Sequence, residues 1–335
     1  MHPHRIRPAW LVALLAVPTL AAAQEPKLGD RLARRGDEIV ACGQLIHAST
    51  PVVTWMDPGG YDAYRTERRF APLEESSFEK SKGETLKAPN RFSLRRAGLA
   101  PAKVEQVRGG GWDLPTLQET VDQFVIHFDA CGTSRKCFEV LQDQRGLSVQ
   151  LMLDLDGTIY QTLDLKEGAW HATKANGRSI GIEIANIGTF PPRGESSPRV
   201  SRWYQPDAEG KTRITLPDPT AMPEASRAAV LRPDRDAPIP GNIQGQDLAQ
   251  YDLTPQQYES LIKLTATLCK TFPKIRCDYP RDEQGKLVPR KLADDVYARY
   301  NGILGHYHVQ LNKVDPGPAF QWDRVIDGAK ALMAR

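Results

Sequence analysis

The stretch RSIGIEIANIG, residues 178–188, decides how the rest of the chain is read. Ile180, Ile182 and Ile184 alternate with Gly181, Glu183 and Ala185. That is the two-residue period of a strand with one apolar face and one small-residue face, the latter carrying a single acid. Upstream, SVQLMLDLDGTIYQTL (148–163) reads as a hairpin around the turn pair Asp156-Gly157, and TVDQFVIHF (120–128) holds a buried strand ending near His127. Downstream, Thr254 caps a helix, with Pro255 at its first position and Gln257 completing a capping box. Tyr258, Leu261, Ile262, Leu268, Cys269 and Phe272 follow at helical spacing and define its buried face. Strands clustered mid-chain among helices predict an α/β domain over 117–335, a mixed central β-sheet flanked by helices.

Two regions fall outside this pattern. Residues 24–116 read as an N-terminal extension of unknown role, with short strands in IVACGQLIHAS and PVVTWMD and a charged run from Arg65 to Val107. The triple glycine of VRGGGWD (107–113) reads as a hinge or turn, because no Lys-Ser/Thr follows it as phosphate binding requires. Residues 191–250, rich in Pro, Ser and charge, read as a long irregular insertion, a lid or surface flap.

The first 23 residues have the three parts of an export signal: basic MHPHRIRPAW, the short apolar run WLVALLAVPTLA, and the small-residue site Ala21-Ala22-Ala23. The expected mature protein is exported, periplasmic or secreted, with no stable membrane insertion after cleavage, since no other segment approaches spanning length. A formal net charge of +3 is too small to argue for nucleic acid, which is not an expected partner, and fits mild attraction to anionic surfaces. In an oxidising compartment the economical cysteine pairs are Cys131 with Cys137 and Cys269 with Cys277, leaving Cys42 over; the alternative is five reduced cysteines.

Seven histidines occur; His2 and His4 leave with the signal, and His127, His171, His306 and His308 lie in the α/β domain. Catalytic zinc takes three protein ligands and keeps one open position. His127, His306 and Asp315 can supply such a set, the last two being nine residues apart in GHYHVQLNKVDPGPAF (305–320). A metal there lowers the pKa of its water towards ~7. Glu183 is the candidate base, and Lys313 the candidate partner for a developing oxyanion. Each residue also has a plain reading: a hydrogen-bonded core His, an acid at a strand edge, a solvated Lys-x-Asp turn. His308 competes with His306, being two residues along the same expected strand, and Cys131 competes as a thiolate.

FVIHFDACG, EGAWHATKANGRSIGIEIANIGTF and GHYHVQLNKVDPGPAF together resemble the zinc-dependent type 2 N-acetylmuramoyl-L-alanine amidases, which share a fold with the peptidoglycan recognition proteins. The resemblance covers about 117–190 and 250–325, in the right order. It implies Zn2+ held by His127, His306 and Asp315, Glu183 as catalytic acid/base, Lys313 supporting the transition state, and His171 lining the substrate groove. The implied substrate is peptidoglycan or a muropeptide, cut at the amide between N-acetylmuramic acid and L-Ala. The chain departs from the family's I-H-H-T stretch, with Phe128 at its second position and Asp129 in place of its Thr. The gap between the last His and the Lys is one residue shorter than is common. The Cys131/Cys137 pair is similar to a bridge of the recognition proteins. Two other readings follow from the same residues: a peptidoglycan-binding or sensing protein without catalysis, and a zinc hydrolase acting on a different cell-wall amide.

Overall fold

The alternation of RSIGIEIANIG builds the middle of a six-stranded sheet. In the computed structural model, which describes residues 27–192, 198–227 and 229–335, the strands are β1 (Val52–Thr54), β2 (Gln123–Phe128), β3 (Leu151–Leu153), β4 (Ile159–Gln161), β5 (Ser179–Ile184) and β6 (Gly302–Gly305). Their order across the sheet is β6-β2-β5-β3-β4-β1. Only the β3–β4 hairpin is antiparallel; β6–β2, β2–β5, β5–β3 and β4–β1 are parallel. The expected mixed sheet and its hairpin are therefore present. The expected export signal lies outside the described residues.

Period-two alternation gives the sheet two different faces. Phe124, Ile126, Ile180, Ile182, Ile184, Leu151 and Leu153 are buried on one face. They pack with Tyr258, Leu261, Leu264 and Leu268 of α2 (Pro255–Thr271) and with Val325 and Ile326 of α4 (Trp322–Met333). Helix α2 begins as its sequence dictates: Thr254 accepts from the Gln257 amide and the Gln257 side chain accepts from Thr254, with Pro255 at the first position. The opposite face carries His127, Gly181 and Glu183.

Residues 35–116 contribute to the same fold. β1 forms one edge of the central sheet, and Ile39, Ala41, Ala48 and Val52 belong to the core shared with α2. Two fully buried arginines tie this segment down: Arg91 Nε donates to Gln142 O (3.1 Å), and Arg95 Nε to Leu165 O (3.0 Å). The insertion is more ordered than its composition suggests. Among its described residues are a helix, α1 (Pro198–Trp203), and two hairpins, Tyr204–Pro206 with Thr212–Ile214 and Ile239–Ile243 with Gln246–Gln250. Val200, Tyr204, Ile214, Met222 and Leu231 form a small core with Leu155, Ala185 and Ile187 at the end of the sheet. The proline-rich composition hid these elements because the apolar residues that bury them are widely spaced along the chain.

The cysteines expected to pair stand side by side as thiols, Cys131 against Cys137 and Cys269 against Cys277. Among the described residues no helix is long and apolar enough to cross a membrane.

Candidate active site

Three neighbouring parallel strands end at one edge of the sheet, and each delivers a functional side chain there. His127 is the penultimate residue of β2, and Glu183, its register partner, the penultimate residue of β5. Gly305 of β6 pairs with Ile126, so the next residue, His306, falls level with His127. The carboxyl ends of parallel strands are where such a sheet leaves room for a ligand. Asp315 arrives on the turn that follows, where Tyr307 N donates to its carbonyl (3.2 Å). His127 Nδ1 lies 2.9 Å from His306 Nδ1 and 2.9 Å from Asp315 Oδ2, which lies 3.0 Å from His306 Nδ1. All three residues are buried, and they form the candidate metal cluster found among the described residues.

Hydrogen bonds behind the two imidazoles set which nitrogen faces the cluster. The Ser179 hydroxyl donates to Ala175 O (2.8 Å), so Ser179 Oγ accepts from His171 Nε2 (3.1 Å). His171 Nδ1 is then an acceptor, and His127 Nε2, 2.9 Å away, donates to it. His127 Nδ1 is left as a bare lone pair. His306 Nε2 faces Gln310 Oε1 at 2.6 Å and donates to it, which bares His306 Nδ1. With both rings neutral, two imidazole lone pairs and a carboxylate oxygen thus converge within 3.0 Å. Three acceptors in that arrangement repel one another unless a cation lies among them, and orienting partners of this kind are what metal-binding histidines require. The donor set fits a borderline ion such as zinc.

Burial and neighbouring charge act differently on each member of the cluster. Burial, with His306 alongside, lowers His127 to about 4, keeping the ring neutral. Burial alone would raise Asp315, but positive charge at His306 and His127 and hydrogen bonds from their rings outweigh it and hold the carboxyl well below the usual carboxylate range, an effect that a cation at the same place also has. Glu183 is the opposite case. Burial pushes its carboxyl well above the usual range, Asp315 and Asp129 push it further, and its Oε2 is buried without a hydrogen-bond partner. Lys313 is half-buried and lines the same cavity, of about 180 Å³, with His127, Glu183 and Asp315.

Every site residue read from the sequence therefore falls in this cavity. His171 lines its wall, but both ring nitrogens are committed inside the protein, to His127 and Ser179. Its ring lies on Gly181, where a Cβ would stand 2.6 Å from His171 Nδ1, so the small-residue face of β5 is what admits it. The competing ligands are excluded by geometry. Residues 306–309 form a helical turn, α3 (His306–Val309), not a strand, so His308 points away from His306. His308 accepts from Gly305 N (2.9 Å) and donates to Val288 O (2.8 Å). Cys131 contacts Cys137 and stands outside the cluster. Sequence reasoning missed Ser179, Gln310 and Asp129. Asp129 Oδ1 accepts from the amides of Cys131 (2.8 Å), Gly132 (2.9 Å) and Asn186 (3.1 Å) and so shapes the loop after β2. Gln310 lies four residues after His306, a signal available only if the helical turn is recognised first.

A buried acid beside a convergent set of metal-competent acceptors, at the carboxyl edge of a parallel sheet, is the equipment of a hydrolase. The chain belongs to the N-acetylmuramoyl-L-alanine amidase family, whose model matches residues 117–318, more than half of its length. It is accordingly an amidase that hydrolyses the bond between N-acetylmuramic acid and L-alanine. Among solved structures it is similar to the endolysin amidase LysCS from Clostridium intestinale URNW, at 17% identity over 64% of this chain and 86% of that one, TM-score 0.33. It is also similar to a selenomethionine derivative of AmpD, at 15% over 71% and 89%, TM-score 0.32. A third is AmiD from E. coli in complex with anhydro-N-acetylmuramic acid-L-Ala-D-gamma-Glu-L-Lys, at 17% over 62% and 57%, TM-score 0.34. No curated protein sequence matches the chain.

Proposed function

We propose that this amidase depends on zinc held by His127, His306 and Asp315, and that Glu183 and Lys313 carry the proton transfer and charge stabilisation. The supporting observation is the convergence of three metal-competent ligand atoms beside the unpartnered Oε2 of Glu183. Zinc, when bound, supplies Lewis-acid chemistry, making water nucleophilic near neutral pH and offsetting negative charge. Glu183 takes the proton from the attacking water and returns it to the leaving amine of L-alanine. The Lys313 ammonium lies at the cavity and stabilises charge developing on the lactyl carbonyl oxygen. His171 orients His127 from behind and presents its ring at the wall of the groove that takes the muropeptide.

Mass spectrometry of muropeptides digested by the purified protein tests this. Free stem peptides beginning with L-alanine are expected, lost after chelation and restored by zinc. Undiminished turnover by protein shown to be metal-free would refute the zinc assignment.

We further place the mature protein in the periplasm or outside the cell, with disulfides Cys131–Cys137 and Cys269–Cys277. The support is the signal-like N-terminus and the contact of each thiol with its partner. Non-reducing peptide mapping of exported protein is expected to show these two bridges and a free Cys42; five titratable thiols would rule them out.

A further inference from the structure

One hairpin of the insertion, Ile239–Ile243 paired with Gln246–Gln250, touches the metal-site loop, and its turn places there a residue ill suited to its backbone position. The two-residue turn is Gln244-Gly245, with φ of 56° and 77°. Two positive φ values are what a type I′ turn requires, and Asn-Gly satisfies them with least strain. A long side chain such as Gln is disfavoured in the left-handed region, and a non-glycine residue held there is a reason to ask what its side chain does.

The Gln244 side chain closes a gap between three segments. Its Nε2 lies 2.7 Å from Gln310 O, 3.1 Å from Lys313 O and 3.3 Å from Tyr307 O. Its Oε1 accepts from Lys291 N (3.1 Å), and its own amide donates to Pro289 O (2.9 Å). The three carbonyls bracket the stretch that carries the chemistry: Gln310 orients His306, Lys313 faces the cavity, and Asp315 follows two residues later. The other end of the hairpin grips the same loop. Buried Gln250 donates to Pro316 O (3.0 Å) and accepts from Ala319 N (3.1 Å). Midway, Gly241 allows close approach, since a Cβ there would meet Pro318 at 2.6 Å.

We propose that the hairpin at 239–250 is a brace for the 306–319 loop, and that Gln244 is a positioning residue that fixes where His306, Lys313 and Asp315 stand. The inference rests on the zinc reading for its functional consequence, but its structural content can be tested without metal. Part of the insertion then holds two metal ligands in register with His127, although none of the described residues of 191–250 lines the cavity itself.

Gln244→Asn separates the brace from the turn. Asn is the better type I′ residue, so the hairpin itself is preserved or improved, but the amide is one methylene too short to reach the carbonyls. Gln244→Gly relieves the backbone strain and removes the amide altogether. Both metal-free variants are expected to stay folded and to unfold cooperatively, the relieved backbone strain offsetting part of the hydrogen bonds lost. Hydrogen exchange of the 307–313 amides in metal-free protein is expected to quicken several-fold. Zinc affinity, measured by chelator competition, is expected to weaken by about 10- to 100-fold, the usual cost of losing an outer partner, with kcat/KM falling alongside. A turn residue with no further role predicts unchanged exchange and unchanged affinity, and that result overturns the proposal. Faster loop exchange in a protein whose wild type has no zinc affinity would sink the metal reading and leave the brace standing.

Discussion

Replacing Glu183 by Gln is expected to lower kcat/KM for the muramoyl–alanine amide by about 10²–10⁴-fold, the range contributed by a positioned general acid or base. The zinc content of the variant should stay that of wild type. The two effects separate because Glu183 is not one of the three converging acceptors. It sits on β5 at the level of His127, and the cluster is complete without it. Its burial, with Asp315 and Asp129 near, favours the protonated form, while Lys313 favours the charged one. A cation among the three acceptors would add to the pull of Lys313, and a carboxyl held between such opposing influences can both accept and return a proton. Gln keeps the volume and removes that capacity. Steady-state kinetics with metal analysis of the same preparation decide the matter. Near-wild-type turnover would remove Glu183 from the mechanism. Joint loss of zinc and turnover would make it a support of the cluster instead.

The parts of this site that could be read from the sequence were those carried by short local patterns. Alternation in 178–188 placed Glu183 on the face opposite the three isoleucines, and the apolar run ending at His127 placed that histidine at a strand end. The capping box at Thr254 fixed a helix start to the residue. What could not be read depends on partners far along the chain. His171 meets His127 across 44 residues, and Gln244 meets Gln310 across 66. No periodicity records such meetings. The stretch at 306–309 was misread for a related reason. Its alternating Gly-His-Tyr-His suits a strand, and the helical turn arises only because Asp315 O and the His308 ring satisfy the amides of Tyr307 and Gly305. Nothing in the sequence marks Gln244, because its three acceptors are backbone carbonyls, which every sequence has.

A chain cut to begin at residue 117, where the family match begins, is expected not to fold. The fold has no boundary there. Removing residues 35–116 takes Ile39, Val40 and Val52, each at most 2% exposed, out of the core. At about 1.5–3 kcal/mol for each large aliphatic side chain, these three alone contribute about 5 kcal/mol or more, comparable with the whole stability margin of an ordinary domain. The polar losses act in the same direction. The Gln161 side chain exchanges two hydrogen bonds with Val40 (both 2.8 Å), and the Asp164 carboxylate accepts from the amides of Cys42 (2.8 Å) and Gly43 (2.7 Å). All would be left without these partners, and the outer edge of β4 would be exposed for pairing with other chains. The strand Phe92–Leu94 pairs with Glu167–Ala169, which leads directly into Trp170 and His171, so the deletion also frees the segment that orients His127. Circular dichroism and urea unfolding of chains starting at 35 and at 117 measure the difference. The longer chain should unfold in one cooperative transition, and the shorter should aggregate or lack one. Cooperative unfolding of the shorter chain with the midpoint of the longer would show that the first strand and its arginines are additions to a domain already complete without them.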